Sequence, residues 1–119
     1  MTNRRKELIE QYKQMKPDMG IFRIRLKDGG KCFIETSQNL KGKMNSTRFQ
    51  LDAGNHPNQE LQRDWKQYGE GRFEFEVLEL LPYAKDESKT DYTEELEILK
   101  QIWEEKLLDQ QFEFYKKKI

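Results

Sequence analysis

Cysteine and histidine are nearly absent: the 119-residue chain has one of each, Cys32 and His56. A single thiol excludes an internal disulfide, and one Cys with one His excludes a Cys/His zinc site. Net charge is absent too, because 22 Lys and Arg face 22 Asp and Glu. The overall basic excess of a dedicated nucleic-acid binder is therefore missing, and any phosphate contact must come from local clustering. No apolar run approaches the ~20 residues that cross a bilayer. Asn3-Arg4-Arg5-Lys6 leads into a polar helix with no apolar stretch behind it. Neither a secretory signal nor a membrane contact is expected, and the expected location is cytoplasmic.

The chain does have aromatic residues and charges. Seven Phe, five Tyr and two Trp supply the bulk for one modest core, although only 34% of residues are hydrophobic and 37% are charged;. Mean hydropathy is −1.09. Basic residues cluster at Arg4-Arg5-Lys6, at Lys41, Lys43 and Arg48, and at Lys116-Lys117-Lys118, while acids concentrate between Asp86 and Glu105. The two terminal basic clusters read as solvated surface.

Periodicity orders the elements. Leu8, Ile9, Tyr12 and Met15 share one face of an N-terminal helix, which Lys16-Pro17-Asp18 ends. Phe22, Ile24 and Leu26 alternate with Arg23 and Arg25, Asp28-Gly29-Gly30 marks a turn, and Lys31–Glu35 returns, giving a β-hairpin. Ser37 is expected to cap a helix over about 39–52 with Leu40, Met44, Thr47 and Leu51 inward. Pro57 is expected at the first helical position of the next, which carries Leu61, Trp65 and Tyr68 and ends at Gly69 and Gly71. Strict alternation over Arg72–Val77 predicts a third strand with Phe73, Phe75 and Val77 inward. Asp91 and Glu94 have capping-box spacing before a long helix with Leu96, Leu99, Trp103 and Leu107 inward, widened by Ile98 and Ile102. Phe112 and Phe114 alternate like a strand, though a frayed tail fits residues 110–119 equally well. The order α, hairpin, two helices, β, helix is an α/β sandwich around a small three-stranded antiparallel sheet. It divides into an N-terminal extension (1–18), one domain (19–108) and a basic tail (109–119).

This order, with particular residues in it, resembles the GIY-YIG nuclease superfamily. Gly20-Ile21-Phe22 stands at the first tripeptide, and Phe33-Ile34-Glu35 at the second, joined by the Gly-Gly hairpin. Thr36-Ser37-Gln38-Asn39-Leu40 resembles the segment entering the first family helix, and His56–Trp65, Tyr68-Gly69 and Phe73–Glu79 continue the series. Glu94–Leu107 resembles the helix that carries the metal-binding glutamate. The resemblance implies hydrolysis of a DNA phosphodiester with one Mg²⁺ or Mn²⁺: a tyrosine as general base, an arginine against the phosphate, and a glutamate holding the metal.

Residue by residue, the match alters that machinery. Phe22 and Phe33 fall at the two tyrosines and carry no hydroxyl. Glu35 falls at the glycine of the second tripeptide, where a negative side chain repels phosphate. Lys43 falls at the arginine, keeping the charge but not the bidentate fork. Lys100, three residues before Trp103, falls at the glutamate, where a cation holds no metal. The expectation is a domain whose catalysis is lost or impaired, needing no cofactor and acting as a nucleic-acid-binding or regulatory module. Arg23, Arg25, Lys41, Lys43 and Arg48 are its candidate phosphate contacts. Its expected partners are DNA or a protein engaged by the N-terminal helix. The alternative is a weak Mg²⁺- or Mn²⁺-dependent endonuclease with Glu35 and Glu97 as rearranged metal ligands; the plainer reading pairs Glu35 and Glu97 with neighbouring Lys43 or Lys100. His56 reads as a helix cap or an exposed residue, and Trp65 and Trp103 as core.

Overall fold

Residues 16–115 are described by a computed structural model. The predicted N-terminal helix and the Lys116-Lys117-Lys118 cluster lie outside them. Period-two alternation is realised in a hairpin of β1 (Gly20–Leu26) and β2 (Lys31–Ser37), antiparallel with Phe22 opposite Glu35 and Ile24 opposite Phe33. Two helices follow, α1 (Leu40–Ala53) and α2 (Gln59–Tyr68), then a single 3₁₀ turn and β3 (Phe73–Leu80). The long helix α3 (Thr93–Asp109) precedes a two-residue strand, β4 (Glu113–Phe114).

The sheet has four strands in the order β3-β1-β2-β4, not three. It is also not wholly antiparallel, since β4 runs parallel to β2 with Glu113 beside Lys31 and Phe114 beside Cys32. Glu113 N donates to Gly30 O at 2.8 Å and Tyr115 N to Cys32 O at 2.9 Å, which settles the residues around Phe112 and Phe114 as sheet rather than tail.

Each face of this sheet has its own core. On one, Phe22, Ile24, Phe33 and Phe73 pack against Leu40 and Leu51 of α1 and Leu61 and Trp65 of α2. On the other, Ile21, Cys32 and Ile34 pack against Leu99 and Leu107 of α3. Cys32 is a buried free thiol whose pKa is pushed up by burial. A register shift between β1 and β3 at Ile21/Phe22 turns two consecutive residues toward α3. Leu78 packs in that core and Glu79 Oε1 accepts from Trp103 Nε1 at 3.0 Å. Such bulges bend the strand and re-aim side chains.

Several local expectations change. Asn39, not Ser37, caps α1: its side chain accepts from Gly42 N, while Ser37 Oγ accepts from Asn39 N one step earlier. Asn58 caps α2 through Leu61 N, which leaves Pro57 outside the helix. Asp91 Oδ1 takes the Thr93 N–H at 3.0 Å. Val77, Ile98 and Ile102 are exposed rather than inward, because no described element covers the β3 edge or the outer side of α3. Among the described residues, no helix is long and apolar enough to cross a membrane.

Candidate functional site

On the edge away from β1, β2 beyond Cys32 has no described strand beside it, since β4 pairs only with Lys31 and Cys32. A cleft of about 310 Å³ opens there. Phe33 and Glu35 of β2 form one wall, Lys43 and Gln50 of α1 another. His56-Pro57-Asn58 from the connection between α1 and α2, Lys100 and Glu104 of α3, and Phe114 and Tyr115 complete it. Helical spacing explains the contributors: Lys43 and Gln50 are seven apart on one line of α1, and Lys100 and Glu104 four apart on α3;.

The connecting loop is fixed by side chains rather than by secondary structure. His56 Nδ1 accepts from Asn58 N at 3.0 Å, and His56 N donates to Gln62 Oε1 at 2.9 Å. Gln62 Nε2 in turn donates to Leu51 O, near the end of α1. Asn58 Nδ2 donates to Tyr115 O at 3.3 Å, joining this loop to the residue that follows β4. His56 is therefore buried, at 7% exposure, with the Phe33 ring edge-on at 5.3 Å. Burial, the dominant cause, pushes its pKa below 6.5, against the opposing pull of Glu35. The neutral ring then carries its proton on Nε2, because Nδ1 is an acceptor.

The charges in the cleft are partly spoken for. Lys43 Nζ lies 3.3 Å from Glu35 Oε1, both side chains partly exposed. Lys100 has no ion-pair partner among the described residues.

With this geometry in place, the architecture can be matched to known ones. It is similar to the solved catalytic domain of homing endonuclease I-TevI, at 23% identity and a TM-score of 0.63, covering 82% of this chain and 95% of that one. A glutamate-to-alanine mutant of that intron endonuclease domain gives 22% identity and 0.63 over 83% and 92%. This is the GIY-YIG nuclease fold. No family model matches the sequence, and no curated protein aligns with it.

Within the GIY-YIG fold, three of the four positions singled out by motif come together. Phe33, Lys43 and Lys100 all line the cleft. Phe22 does not; it is fully buried beneath, stacked on Phe75 with ring centroids 6.4 Å apart. Of the two carboxylates of the rearranged metal site, Glu35 lines the cleft, whereas Glu97 is exposed on α3 and does not. The cations proposed for phosphate contact divide between the two faces of the sheet. Lys41, Lys43 and Arg48 lie on α1, with the Arg48 guanidinium 4.5 Å over the Phe75 ring. Arg23 and Arg25 lie on the α3 side, where Glu76 and Glu74 of β3 accept from them at 2.7 and 3.2 Å. Sequence reasoning missed His56 and Glu104 as cleft residues. His56 is the chain's single histidine in the segment between two helices; Glu104, four residues after Lys100, carried no signal of its own.

A hard divalent cation is held by carboxylates converging on one point, with water and substrate oxygens completing its shell. Among the described residues no group of three or more His, Cys, Asp or Glu side chains is so placed. The cleft offers two carboxylates, Glu35 and Glu104, with two lysines among them; Lys43 already answers the Glu35 charge, and the two ammonium groups repel a divalent cation there;.

Proposed function

We propose that the chain is a nucleic-acid-binding or regulatory domain on a nuclease scaffold, with its hydrolytic chemistry lost or strongly impaired. The observation that carries this reading is the joint presence of Phe33, Lys43 and Lys100 in one cleft of a GIY-YIG fold. A phenyl ring cannot take a proton from water, and an ammonium group cannot hold a metal. Lys43 still supplies a positive charge to a phosphate oxygen, so recognition survives changes that remove turnover. Losing one general base or one electrostatic stabiliser costs on the order of 10² to 10⁴ in rate.

Supercoiled plasmid at low salt with Mg²⁺ or Mn²⁺ tests this, beside a Glu35→Ala/Glu97→Ala variant. The expected result is no nicking by either protein, together with salt-dependent retention of the plasmid. Nicking by the parent that vanishes in the variant would instead establish an endonuclease with a rearranged metal site.

A further inference from the structure

Two lysines and a histidine converge on the cleft, and of these three hydrogen-bond donors only Lys43 has a partner for its donating group. Lys43 is held by Glu35, while Lys100 has no ion-pair partner and His56 Nε2 no hydrogen-bond partner among the described residues. Hydrogen-bond donors that line a concave site and lack partners are ready for an oxyanion. At about 310 Å³ the cleft has room for a phosphodiester with its flanking sugar oxygens.

We propose that this cleft binds a backbone phosphate of a nucleic-acid strand directly, without a divalent cation, between Lys100, His56 Nε2–H and Lys43, and that Glu35 is a built-in competitor for Lys43. The inference rests on the nucleic-acid-binding reading above and adds its mode of binding. Glu35 presents a carboxylate to the ammonium group that the phosphate must also contact. A phosphate entering the cleft takes over the Lys43 contact and releases Glu35 to water at the strand end. Glu104, one helical turn from Lys100, is the second carboxylate of the cleft, so Lys43 and Lys100 against Glu35 and Glu104 sum to no net charge. Long-range attraction is correspondingly weak and recognition is by short-range hydrogen bonds. Affinity therefore falls with salt only as steeply as about one or two neutralised phosphates require.

The test is fluorescence anisotropy of a labelled oligonucleotide, as a single strand and as its duplex, in EDTA and then in Mg²⁺. The proteins are the parent, Lys100→Gln, Lys100→Arg and Glu35→Gln, each first shown to keep the parent's urea midpoint. Binding in EDTA is expected for the parent, weakened roughly tenfold by K100Q and restored by K100R. E35Q is expected to bind about three- to fivefold more tightly and to steepen the salt dependence. Binding that requires Mg²⁺, a K100Q affinity equal to the parent's, or an E35Q that binds more weakly would overturn the inference and leave nucleic-acid binding standing. A parent that binds neither probe under any condition removes both.

Discussion

His56 is buried between the Phe33 ring and the backbone of Asn58, so its proton count bears on folding as well as on the cleft. Protonating it would place a charge in a site where burial disfavours one and would remove the acceptor for Asn58 N–H. The folded-state pKa lies below the ordinary 6.5, so near that pH the unfolded chain binds more protons than the folded one;. Stability from this residue is therefore complete above pH 6.5 and is lost as pH falls through the folded-state value;. Glu35 works against the shift and Lys43 with it, so both neighbours enter the balance. Urea midpoints of the parent and of His56→Asn, taken from mildly alkaline to mildly acidic pH, test this: the parent's advantage should shrink once pH drops below 6.5. A constant difference across that range would show that His56 titrates as it does in the unfolded chain.

Among the elements, β1 depends on its first residue. Gly20 has φ +155°, and a Cβ there would sit 2.1 Å from Glu79 O and 2.9 Å from Leu80 Cα. These atoms are backbone of the neighbouring strand at the bulge, so they cannot rotate away. Gly20→Ala is expected to destabilise by roughly 2 kcal/mol or more, through strain and the parted β1–β3 pair. An equilibrium urea titration with an unchanged midpoint would refute this. The glycine of the first tripeptide thus has a packing reason, independent of chemistry. The hairpin and the helices α1 to α3 were legible because apolar residues repeat with the strand or helix period along each element. Their ends were less so: Ser37 and Asn39 compete for the α1 cap, and Pro57 lies one residue before the Asn58 that caps α2. β4 was only half legible: Phe112 and Phe114 alternate like a strand, but two paired residues carry too little period to exclude a tail, and the partner strand, β2, is distant in sequence. The cleft was half legible for the same reason. Phe33 and Lys43 were marked by motif and Lys100 by its distance from Trp103, whereas His56 enters the wall only when Asn58 and Gln62 fold the loop inward.

For the whole molecule, the short last described strand and the residues flanking it add a link between the two cores, beside those through β1 and β2. Phe112 and Phe114 pack with Ile21, Ile34 and Leu99 on the α3 side, while Tyr115 packs with Leu61 and Trp65 on the other. Tyr115 is 5% exposed, its hydroxyl donates to Asp64 Oδ2 at 2.9 Å, and the Lys31 ammonium lies 5.8 Å from its ring centroid. Its phenol is pushed well above the usual tyrosine pKa, first by burial and then by the bond to Asp64, so it stays protonated in any neutral buffer. The same residue closes one side of the cleft, and its backbone carbonyl accepts from Asn58 Nδ2, a bond that no change of side chain removes directly. Ring and hydroxyl can therefore be separated. Tyr115→Phe keeps the ring and loses one hydrogen bond, an expected cost of about 1 kcal/mol. Tyr115→Ala also empties the space between β2 and α2, an expected cost of about 3–5 kcal/mol. Urea unfolding followed by the fluorescence of Trp65 and Trp103, one on each side of the sheet, reads both costs. If β4 holds the two cores together, the two tryptophans report one transition in the parent and separate transitions in the alanine variant. An alanine variant no less stable than the phenylalanine one would mean that the cores are joined through β1 and β2 alone.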